Sequence, residues 1–192
     1  MKIHNLEQGS PEWFKVRACK LTASNAQAIA TAGKGLETLI YDLLAEKYSS
    51  VPPENYTNED MERGKLLEEQ ARQMYELEKG IKITTVGFVE LDEYTGCSPD
   101  GFAGEDGLVE IKCKNDSTYI RALVEKEIDS KYLWQVQFQL FITCKKWCDF
   151  VDYNPNFLKS MNITRIAPDP TMQEKIQIGI EKGKKLLIEK ES

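Results

Sequence analysis

Residues 95–114 read TGCSPDGFAGEDGLVEIKCK and decide the fold. The Gly-Glu-Asp-Gly sequence at 104–107 predicts a tight turn that joins two strands into a β-hairpin. Strand residues two apart project to the same face, so Glu110 and Lys112 lie together on the second arm. Because the arms of a hairpin run side by side, Asp100 on the first arm is brought next to them. The sequence therefore predicts a cluster of two carboxylates and an ammonium group.

This cluster suits the hydrolysis of phosphodiester bonds. Carboxylates hold Mg²⁺, a cation that prefers oxygen ligands, and the metal activates water and stabilises the leaving oxygen. The lysine ammonium can orient the attacking water. Each part also has a plain structural interpretation, since Glu-x-Lys is common on exposed strands and Pro-Asp-Gly is common in turns. Their combination, at this spacing and with an acid on an upstream helix, indicates a nuclease.

The upstream helix is predicted from Asn58 to Lys79 and ends at Gly80. Its inward stripe comprises Met61, Gly64, Leu67, Ala71, Met74 and Tyr75. Glu68 falls on this stripe, whereas the helical period turns Glu69 about 100° away, toward solvent. Glu68 is therefore expected to face the element against which the helix packs.

The rest of the chain alternates between helical and strand-like periodicity. Helices are predicted at 11–17, 25–30, 36–44, 116–126, 132–144 and from Asp169 to about Glu189. Strands are predicted at 81–91, 95–102, 108–113, 147–153 and 162–167. A turn or cap is expected at 21–24, and a polar loop at 49–57. With no linker or repeat, the sequence predicts one α/β (α+β) domain over residues 1–192.

The composition excludes several classes of active site. His4 is the only histidine, so a Ser-His-Asp triad or a histidine-rich zinc site has almost nothing to be built from. The five cysteines are an odd number and contain no Cys-x-x-Cys pair, which argues against a disulfide framework and predicts free thiols, mostly buried. Carboxylate chemistry is what remains.

Charge and hydropathy place further bounds on function. The net charge of −6 does not suit a protein that grips DNA over its whole surface, but it permits a local basic channel beside cation-binding carboxylates. No apolar run reaches the roughly 20 residues that a membrane helix needs, and the N-terminus lacks the features of a secretory signal. We therefore expect a cytoplasmic protein without a membrane span.

Five segments occur in the order in which one nuclease family has them. They are EQGSPEWFKVRACKLTAS at 7–24, RGKLLEEQAR at 63–72, GCSPDGF at 96–102, GLVEIKCK at 107–114 and YLWQVQFQLFITCKKWCDFVDYNP at 132–155. From about Gln8 to Pro155 the chain resembles the lambda-exonuclease family of viral recombination nucleases, the YqaJ type of the PD-(D/E)XK superfamily. The resemblance implies a restriction-endonuclease-like core, in which a central mixed β-sheet is flanked by helices.

The resemblance also implies roles for the clustered residues. Asp100 and Glu110 are the expected metal ligands, together with the main-chain carbonyl of Ile111. Lys112 is expected to position the attacking water, and Glu68 to support the second metal or its waters. Two Mg²⁺ ions are expected in each active site, with Mn²⁺ able to substitute.

A pocket for the 5′-phosphate of the shortened strand is implied at four further positions. The matching residues are Arg17, Ser24, Ser98 and Gln135. An arginine fork and hydroxyl donors bind phosphate well, although Arg17 could also end a surface helix, Ser24 cap a helix and Ser98 form a turn. Gln135 lies on an apolar helix where its amide needs a hydrogen-bond partner, whereas its neighbour Gln137 is open to a structural role.

The activity that the family implies is digestion of linear double-stranded DNA from 5′ ends. Its products are mononucleotides and a 3′ single-stranded tail for recombination by strand annealing. The implied partner is a phage single-strand annealing protein, and the implied assembly is a ring-shaped homotrimer. Such an enzyme is encoded by a phage or prophage and acts in the cytoplasm of a bacterial host.

Three other interpretations remain open. The same core serves endonucleases of the restriction or repair type, and a non-catalytic DNA-binding recombination protein can also keep it. Some related enzymes hold an iron-sulfur cluster, and Cys19, Cys144 and Cys148 could imitate part of such a site. An endonuclease would cut closed circular DNA. A non-catalytic protein would show no Mg²⁺-dependent hydrolysis. A protein with an iron-sulfur cluster would show visible absorbance when purified.

Overall fold

The computed structural model describes residues 1–49 and 59–191. The strands are β1 (Lys2–His4), β2 (Leu21–Thr22), β3 (Ile83–Thr84), β4 (Phe88–Asp92), β5 (Thr95–Cys97), β6 (Gly101–Ala103), β7 (Gly107–Cys113), β8 (Trp147–Tyr153) and β9 (Met161–Ile166). The α-helices are α1 (Pro11–Arg17), α2 (Ala26–Thr31), α3 (Lys34–Tyr48), α4 (Glu59–Lys79), α5 (Asp116–Glu125), α6 (Ser130–Thr143) and α7 (Pro170–Glu191). Three predictions fall outside the described residues: the loop at 49–57 apart from its first residue, the helix start at Asn58, and the position of the Met61 side chain.

The strands form two mixed sheets. The larger has the order β3-β6-β7-β8-β9, in which β7 and β8 run parallel and the other neighbours are antiparallel. The smaller has the order β1-β4-β5-β2, in which β2 and β5 run parallel. Helices lie against these sheets, which confirms the mixed α/β class and the central mixed sheet.

The smaller sheet departs from the expectation of a single sheet. The strand predicted at 81–91 divides into β3 and β4, and the strand predicted at 95–102 divides into β5 and β6, so each contributes to both sheets. Pro99 lies at the second division, and proline has no N–H to donate within a ladder. Residues 21–24, predicted as a turn or cap, form β2 and the start of a 3₁₀ helix. A two-residue strand is too short to show a period in the sequence.

Two helices cover the opposite faces of the larger sheet. On one face, α4 packs Ala71 and Tyr75 against apolar side chains of β7 and β8. On the other face, α6 packs Val136 and Leu140 against the alternate side chains of the same strands. Glu110 projects from β7 toward α6 and is 1% exposed. A predicted metal ligand is thus enclosed between sheet and helix.

Helices α2, α3 and α7 form a third layer, which shares a hydrophobic core with α6 and the smaller sheet. The closest approach in this layer is between α7 and α2. A Cβ atom at Gly179 would lie 2.0 Å from the carbonyl oxygen of Ile29, so only glycine fits there. None of the described helices combines the length and the apolarity needed to cross a membrane.

The buried stripe of α4 is narrower than predicted. Ala71 and Tyr75 are fully buried, and Gly64 and Leu67 are half-buried, but Met74 is 40% exposed. The prediction for Met74 is therefore wrong. Ala71 and Tyr75 lie at the centre of the helix face that packs on the sheet. Met74 lies at the edge of this face, where the sheet does not cover it.

The five cysteines are free thiols, as expected. Cys97 and Cys148 are buried, whereas Cys19 and Cys113 are half-buried and Cys144 is exposed, so the predicted burial holds for two of the five. Among the side chains that the structure describes, no three of the His, Cys, Asp or Glu type lie close enough to hold a metal ion between them. Cys19, Cys144 and Cys148 accordingly do not form such a group.

Candidate active site

The candidate site lies where β7 continues beyond its neighbour β6. The two strands pair over 107–109, with Gly101 opposite Val109. Past this point the N–H of Ile111 donates to a side chain, the Oδ2 of Asp100, at 2.6 Å. The N–H and C=O groups of one strand residue point to the same side, so the carbonyl of Ile111 faces the same open edge as Asp100.

Glu110 is held by three donors. Its Oε1 accepts hydrogen bonds from the Nζ of Lys112 at 2.5 Å and from the Nε2 of Gln135 at 2.6 Å. Its Oε2 accepts one from the Nε2 of Gln139 at 2.8 Å. All three partners donate, so both carboxylate oxygens of Glu110 act as acceptors. The predicted convergence of Asp100, Glu110 and Lys112 is therefore present in the structure.

The charges of this cluster act strongly on one another. Burial raises the pKa of Asp100 well above its ordinary value, and repulsion from Glu110 and Glu68 adds to the rise. Burial lowers the pKa of Lys112, but attraction to Glu110 and Asp100 outweighs this effect, and the net pKa is raised. Lys112 therefore stays protonated at neutral pH and provides a fixed positive charge beside the carboxylates.

Glu68 reaches the cluster from α4. Its Oε1 accepts a hydrogen bond from the Nη2 of Arg72 at 3.0 Å, and Arg72 also binds Glu69 at 2.5 Å. The side chain of Glu68 is 35% exposed and that of Glu69 is 60% exposed, as the helical period predicts. The structure thus brings the helix acid near Asp100, with an arginine that the sequence did not single out.

The oxygen atoms at this edge fit a hard divalent cation. Asp100, Glu110 and the Ile111 carbonyl form a donor set of the kind that Mg²⁺ takes. Since no three acidic, histidine or cysteine side chains of the described residues group together, such an ion would depend on the main-chain carbonyl and on water, which Mg²⁺ commonly retains. Burial, and after it the charge of Glu110, raises the pKa of Asp100, and a bound cation would oppose both effects.

A second polar group lies at the end of α1. The Nη2 of Arg17 donates to the Oγ of Ser24 at 2.8 Å and to the Oγ1 of Thr22 at 3.3 Å, and the guanidinium lies 4.9 Å from the centre of the Trp13 ring. Among the described residues, the hydrogen bonds of Arg17 go to hydroxyl groups and not to a carboxylate. A half-buried arginine with hydroxyl neighbours is suited to bind an anion.

The other two predicted pocket residues take different positions. The Oγ of Ser98 accepts a hydrogen bond from the Nε1 of Trp13 at 3.0 Å, so this indole connects Ser98 to Arg17. Gln135 is bound to Glu110 and thus lies at the carboxylate cluster. The structure therefore joins Arg17, Ser24 and Ser98 through Trp13, and places Gln135 beside the predicted metal ligand.

Besides Arg72, sequence reasoning missed Trp13 and Gln139. A signal for each existed, because Trp13 precedes Arg17 by one helical turn and Gln139 follows Gln135 by one turn. Gln137 has the structural role that was left open for it. It binds main-chain atoms of the segment that leads into α7, with its Nε2 2.8 Å from the carbonyl oxygen of Ala167.

Two clefts meet at Glu68. The first, of about 960 Å³, lies between α4, the end of β7, α5 and the start of α6. Its walls carry the cations Lys112, Lys114, Arg121 and Lys131 and the further acids Glu125, Glu127 and Asp129. The second, of about 890 Å³, lies between α1 and α4. It is lined by, among others, Trp13, Phe14, Arg17, Arg72 and Asp100. The carboxylate cluster thus stands between two spaces open to a ligand.

Comparisons with known proteins identify the family. A family model described as "YqaJ-like viral recombinase domain" matches residues 12–146. An alkaline exonuclease (LHK-Exo) from Laribacter hongkongensis is 30% identical, with 94% of each chain covered and a TM-score of 0.86, and its complex with dAMP matches equally well. A phage related exonuclease from Haemophilus somnus 129PT is 15% identical and shares the fold, with a TM-score of 0.67 over 90% of this chain and 96% of the other. The search of curated proteins found no match.

The family match covers well over half of the sequence, and every predicted site residue from Arg17 to Gln135 lies within it. The resemblance seen in the sequence is therefore confirmed. The chain belongs to the YqaJ-like viral recombinase domain family.

Proposed function

We propose that this chain is a Mg²⁺-dependent exonuclease that digests linear double-stranded DNA from 5′ ends. It releases mononucleotides and leaves 3′ single-stranded tails for recombination by strand annealing. The observation that carries the proposal is the convergence of Asp100, Glu110 and Lys112 at the open edge of β7, with Glu68 lining the same cleft as Asp100. Membership of the YqaJ-like family and the likeness to an alkaline exonuclease support it.

The residues of the cluster have separable roles in this proposal. Asp100, Glu110 and the carbonyl of Ile111 hold the metal, and Glu68 supports a second ion or its waters. Mg²⁺ supplies Lewis acidity, which lowers the pKa of water and stabilises charge on the leaving oxygen. The ammonium of Lys112, which donates to Glu110, can orient the attacking water and stabilise negative charge.

The group around Arg17 is proposed to bind the 5′-phosphate of the strand being shortened. Its support is the arrangement of Arg17 and Ser24, with Ser98 joined to them through Trp13. A terminal phosphate carries more negative charge than a phosphodiester, so a cation with hydroxyl donors favours a strand end. That preference would set the 5′ polarity. The dAMP bound to LHK-Exo is a mononucleotide, the class of product proposed here.

The two clefts suggest the path of the DNA. A strand would enter through the larger cleft, where Lys114, Arg121 and Lys131 offer positive charge to phosphates. It would pass the carboxylates near Glu68, and its 5′ end would lie in the second cleft with Arg17. These cations share the cleft wall with Glu125, Glu127 and Asp129, so the positive charge that they offer is local and is compatible with a net charge of −6.

The assembly and the partner are proposed from the family resemblance. They are a homotrimeric ring and a phage single-strand annealing protein that receives the 3′ tail. The proposed location is the cytoplasm of a bacterial host, with the gene carried by a phage or prophage.

The proposed activity is tested with a linear duplex that carries a 5′-phosphate on one strand and an internal label for counting released mononucleotides. The parent should degrade the phosphorylated strand in Mg²⁺ and be inactive in EDTA. Asp100→Asn should lower the rate at least about 100-fold, since it removes a charged ligand from the cluster. Asp106→Asn is the matched control, because Asp106 is 53% exposed in the hairpin turn and binds Lys146 at the surface. It should keep the parental rate.

Closed circular duplex DNA separates the alternatives. An enzyme that needs a 5′ end leaves the circle intact and degrades it after linearisation. Cutting of the closed circle would favour an endonuclease on the same core. Absence of hydrolysis of every substrate, in both Mg²⁺ and Mn²⁺, would favour a non-catalytic DNA-binding recombination protein.

A further inference from the structure

Two buried glutamines on α6 differ in how their amides are satisfied. Gln137 has partners at both ends, since its Nε2 donates to the carbonyl of Ala167 at 2.8 Å. Its Oε1 accepts from the N–H of Asp169 at 2.9 Å and from the Nε2 of Gln173 at 3.0 Å. This is the pattern expected of an amide that serves the fold alone, because buried polar atoms are costly when they lack partners.

Gln139 lies two residues further along and is 0% exposed. Its Nε2 donates to the Oε2 of Glu110 at 2.8 Å, yet its buried Oε1 has no hydrogen-bond partner among the described residues. Reversing the amide would place Oε1 against the carboxylate, where two acceptors repel each other. The hydrogen bond to Glu110 therefore fixes the orientation of the Gln139 amide, although its Oε1 then lacks a partner among the described residues.

The three donors to Glu110 are divided unequally between its two oxygens. Lys112 and Gln135 both bind Oε1, which has two lone pairs and is fully occupied by them. Gln139 is the donor to Oε2 and occupies one lone pair of that oxygen. This hydrogen bond fixes the direction of the remaining lone pair of Oε2. An oxygen that ligates a cation needs a lone pair that points toward the cation.

We infer that Gln139 is a positioning residue that sets the rotation of the Glu110 carboxylate for metal binding. The inference rests on the proposed function, because it assumes that Glu110 ligates a divalent cation. Side chains that orient a ligand in this way contribute about 10-fold to 100-fold to metal affinity in known sites. A residue needed only to fill space would be apolar, or would be satisfied at both ends as Gln137 is.

The test compares Gln139→Met with Gln137→Met, since methionine is close to glutamine in size and has no amide. Mn²⁺ binding to the DNA-free protein is measured by titration calorimetry, and thermal unfolding is followed in EDTA. We expect Gln139→Met to weaken Mn²⁺ binding about 10-fold or more. Gln137→Met should lower the unfolding temperature and leave the Mn²⁺ affinity at the parental value.

A second variant keeps the test decisive if methionine at 139 prevents folding. Gln139→Asn retains the amide but withdraws it from Glu110 by one methylene group, so it should also weaken Mn²⁺ binding. Equal Mn²⁺ affinity in the parent and in folded Gln139 variants would overturn the inference and leave the proposed function standing. A parent that binds no Mn²⁺ would overturn both.

Discussion

Asp100 and Ile111 define the candidate site through one hydrogen bond. The N–H of Ile111 would otherwise bind a neighbouring strand, and the Asp100 carboxylate takes that place at the open edge. The sequence could predict that Asp100 approaches Glu110, because the hairpin and the two-residue period of a strand fix this arrangement. It could not predict that Gln135 binds Glu110, since this contact depends on how α6 lies across the sheet.

At the same scale, Arg17→Ala tests the proposed phosphate pocket. The change should reduce the preference for a 5′-phosphorylated end over a 5′-hydroxyl end by about 10-fold or more, in keeping with a charge-assisted hydrogen bond worth roughly 1.5–3 kcal/mol. Initial rates on matched linear duplexes measure the preference. Lys185→Ala is the control and should keep the parental preference, because Lys185 is 77% exposed on α7 and lines neither cleft. Full preference retained by Arg17→Ala would refute the pocket assignment.

Helix α4 carries Glu68, and a buried polar contact ties this helix to the sheet. The hydroxyl of Tyr75 donates to the Oδ2 of Asp149 on β8 at 2.8 Å, and Arg165 on β9 donates to both oxygens of Asp149. The sequence predicted β8 with its observed bounds, since aromatic and apolar residues surround the two aspartates of this strand. It could not predict the contact, because residues 74 positions apart meet only once the helix has docked.

Tyr75→Phe should lower the free energy of unfolding at pH 7 by about 1.5–3 kcal/mol, the range for a hydrogen bond to a charged group. Burial raises the pKa of Asp149, but hydrogen bonds from Arg165 and Tyr75 lower it more, and the net pKa is below its usual value. An acid whose pKa is lowered by folding stabilises the fold at pH values above its unfolded-state pKa of about 3.9. This contribution is lost as the pH falls through the folded-state pKa. Urea unfolding of parent and variant should therefore differ most near neutrality and converge in strong acid. An equal difference at every pH would contradict this explanation.

The packing of α7 on α2 gives a second prediction for an element. Gly179→Ala would place a methyl group 2.0 Å from the carbonyl oxygen of Ile29, so the helices must move apart. Overpacking of this kind typically costs about 1–3 kcal/mol, which thermal or urea unfolding would detect. Gly104→Ala is unsuitable as a control, because Gly104 has a φ of +64°. Gly35→Ala is suitable, since Gly35 lies inside α3 and its new Cβ would be 3.6 Å from the Cβ of Ala28, an ordinary contact. It should not lower stability.

In the whole molecule, the segment between the two sheets carries residues of both the carboxylate cluster and the polar group around Arg17. Residues 98–100 connect β5 of the smaller sheet to β6 of the larger one, so Ser98 is directed to Trp13 and Asp100 to Ile111. The sequence predicted one strand over 95–102 and placed Asp100 inside it. The class of the fold followed from local periodicity, but the division into two sheets depends on long-range pairing with β1 and β2.

The proposed trimer is also a property of the whole molecule. Light scattering coupled to size exclusion should give a mass of three times the chain mass of 21.9 kDa. A ring that encloses duplex DNA would explain how a chain with a net negative charge stays on its substrate. A mass equal to that of one chain at micromolar concentration would contradict the trimer and leave the active-site proposal unaffected.

Anomalous diffraction from crystals soaked in Mn²⁺ locates a bound cation without relying on activity. A metal centre at this cluster predicts a peak within bonding distance of Asp100, Glu110 and the carbonyl oxygen of Ile111, and the loss of this peak in Asp100→Asn. Mn²⁺ bound elsewhere, or a peak at the cluster that persists unchanged in Asp100→Asn, would contradict the claim that these residues form the metal centre of a nuclease.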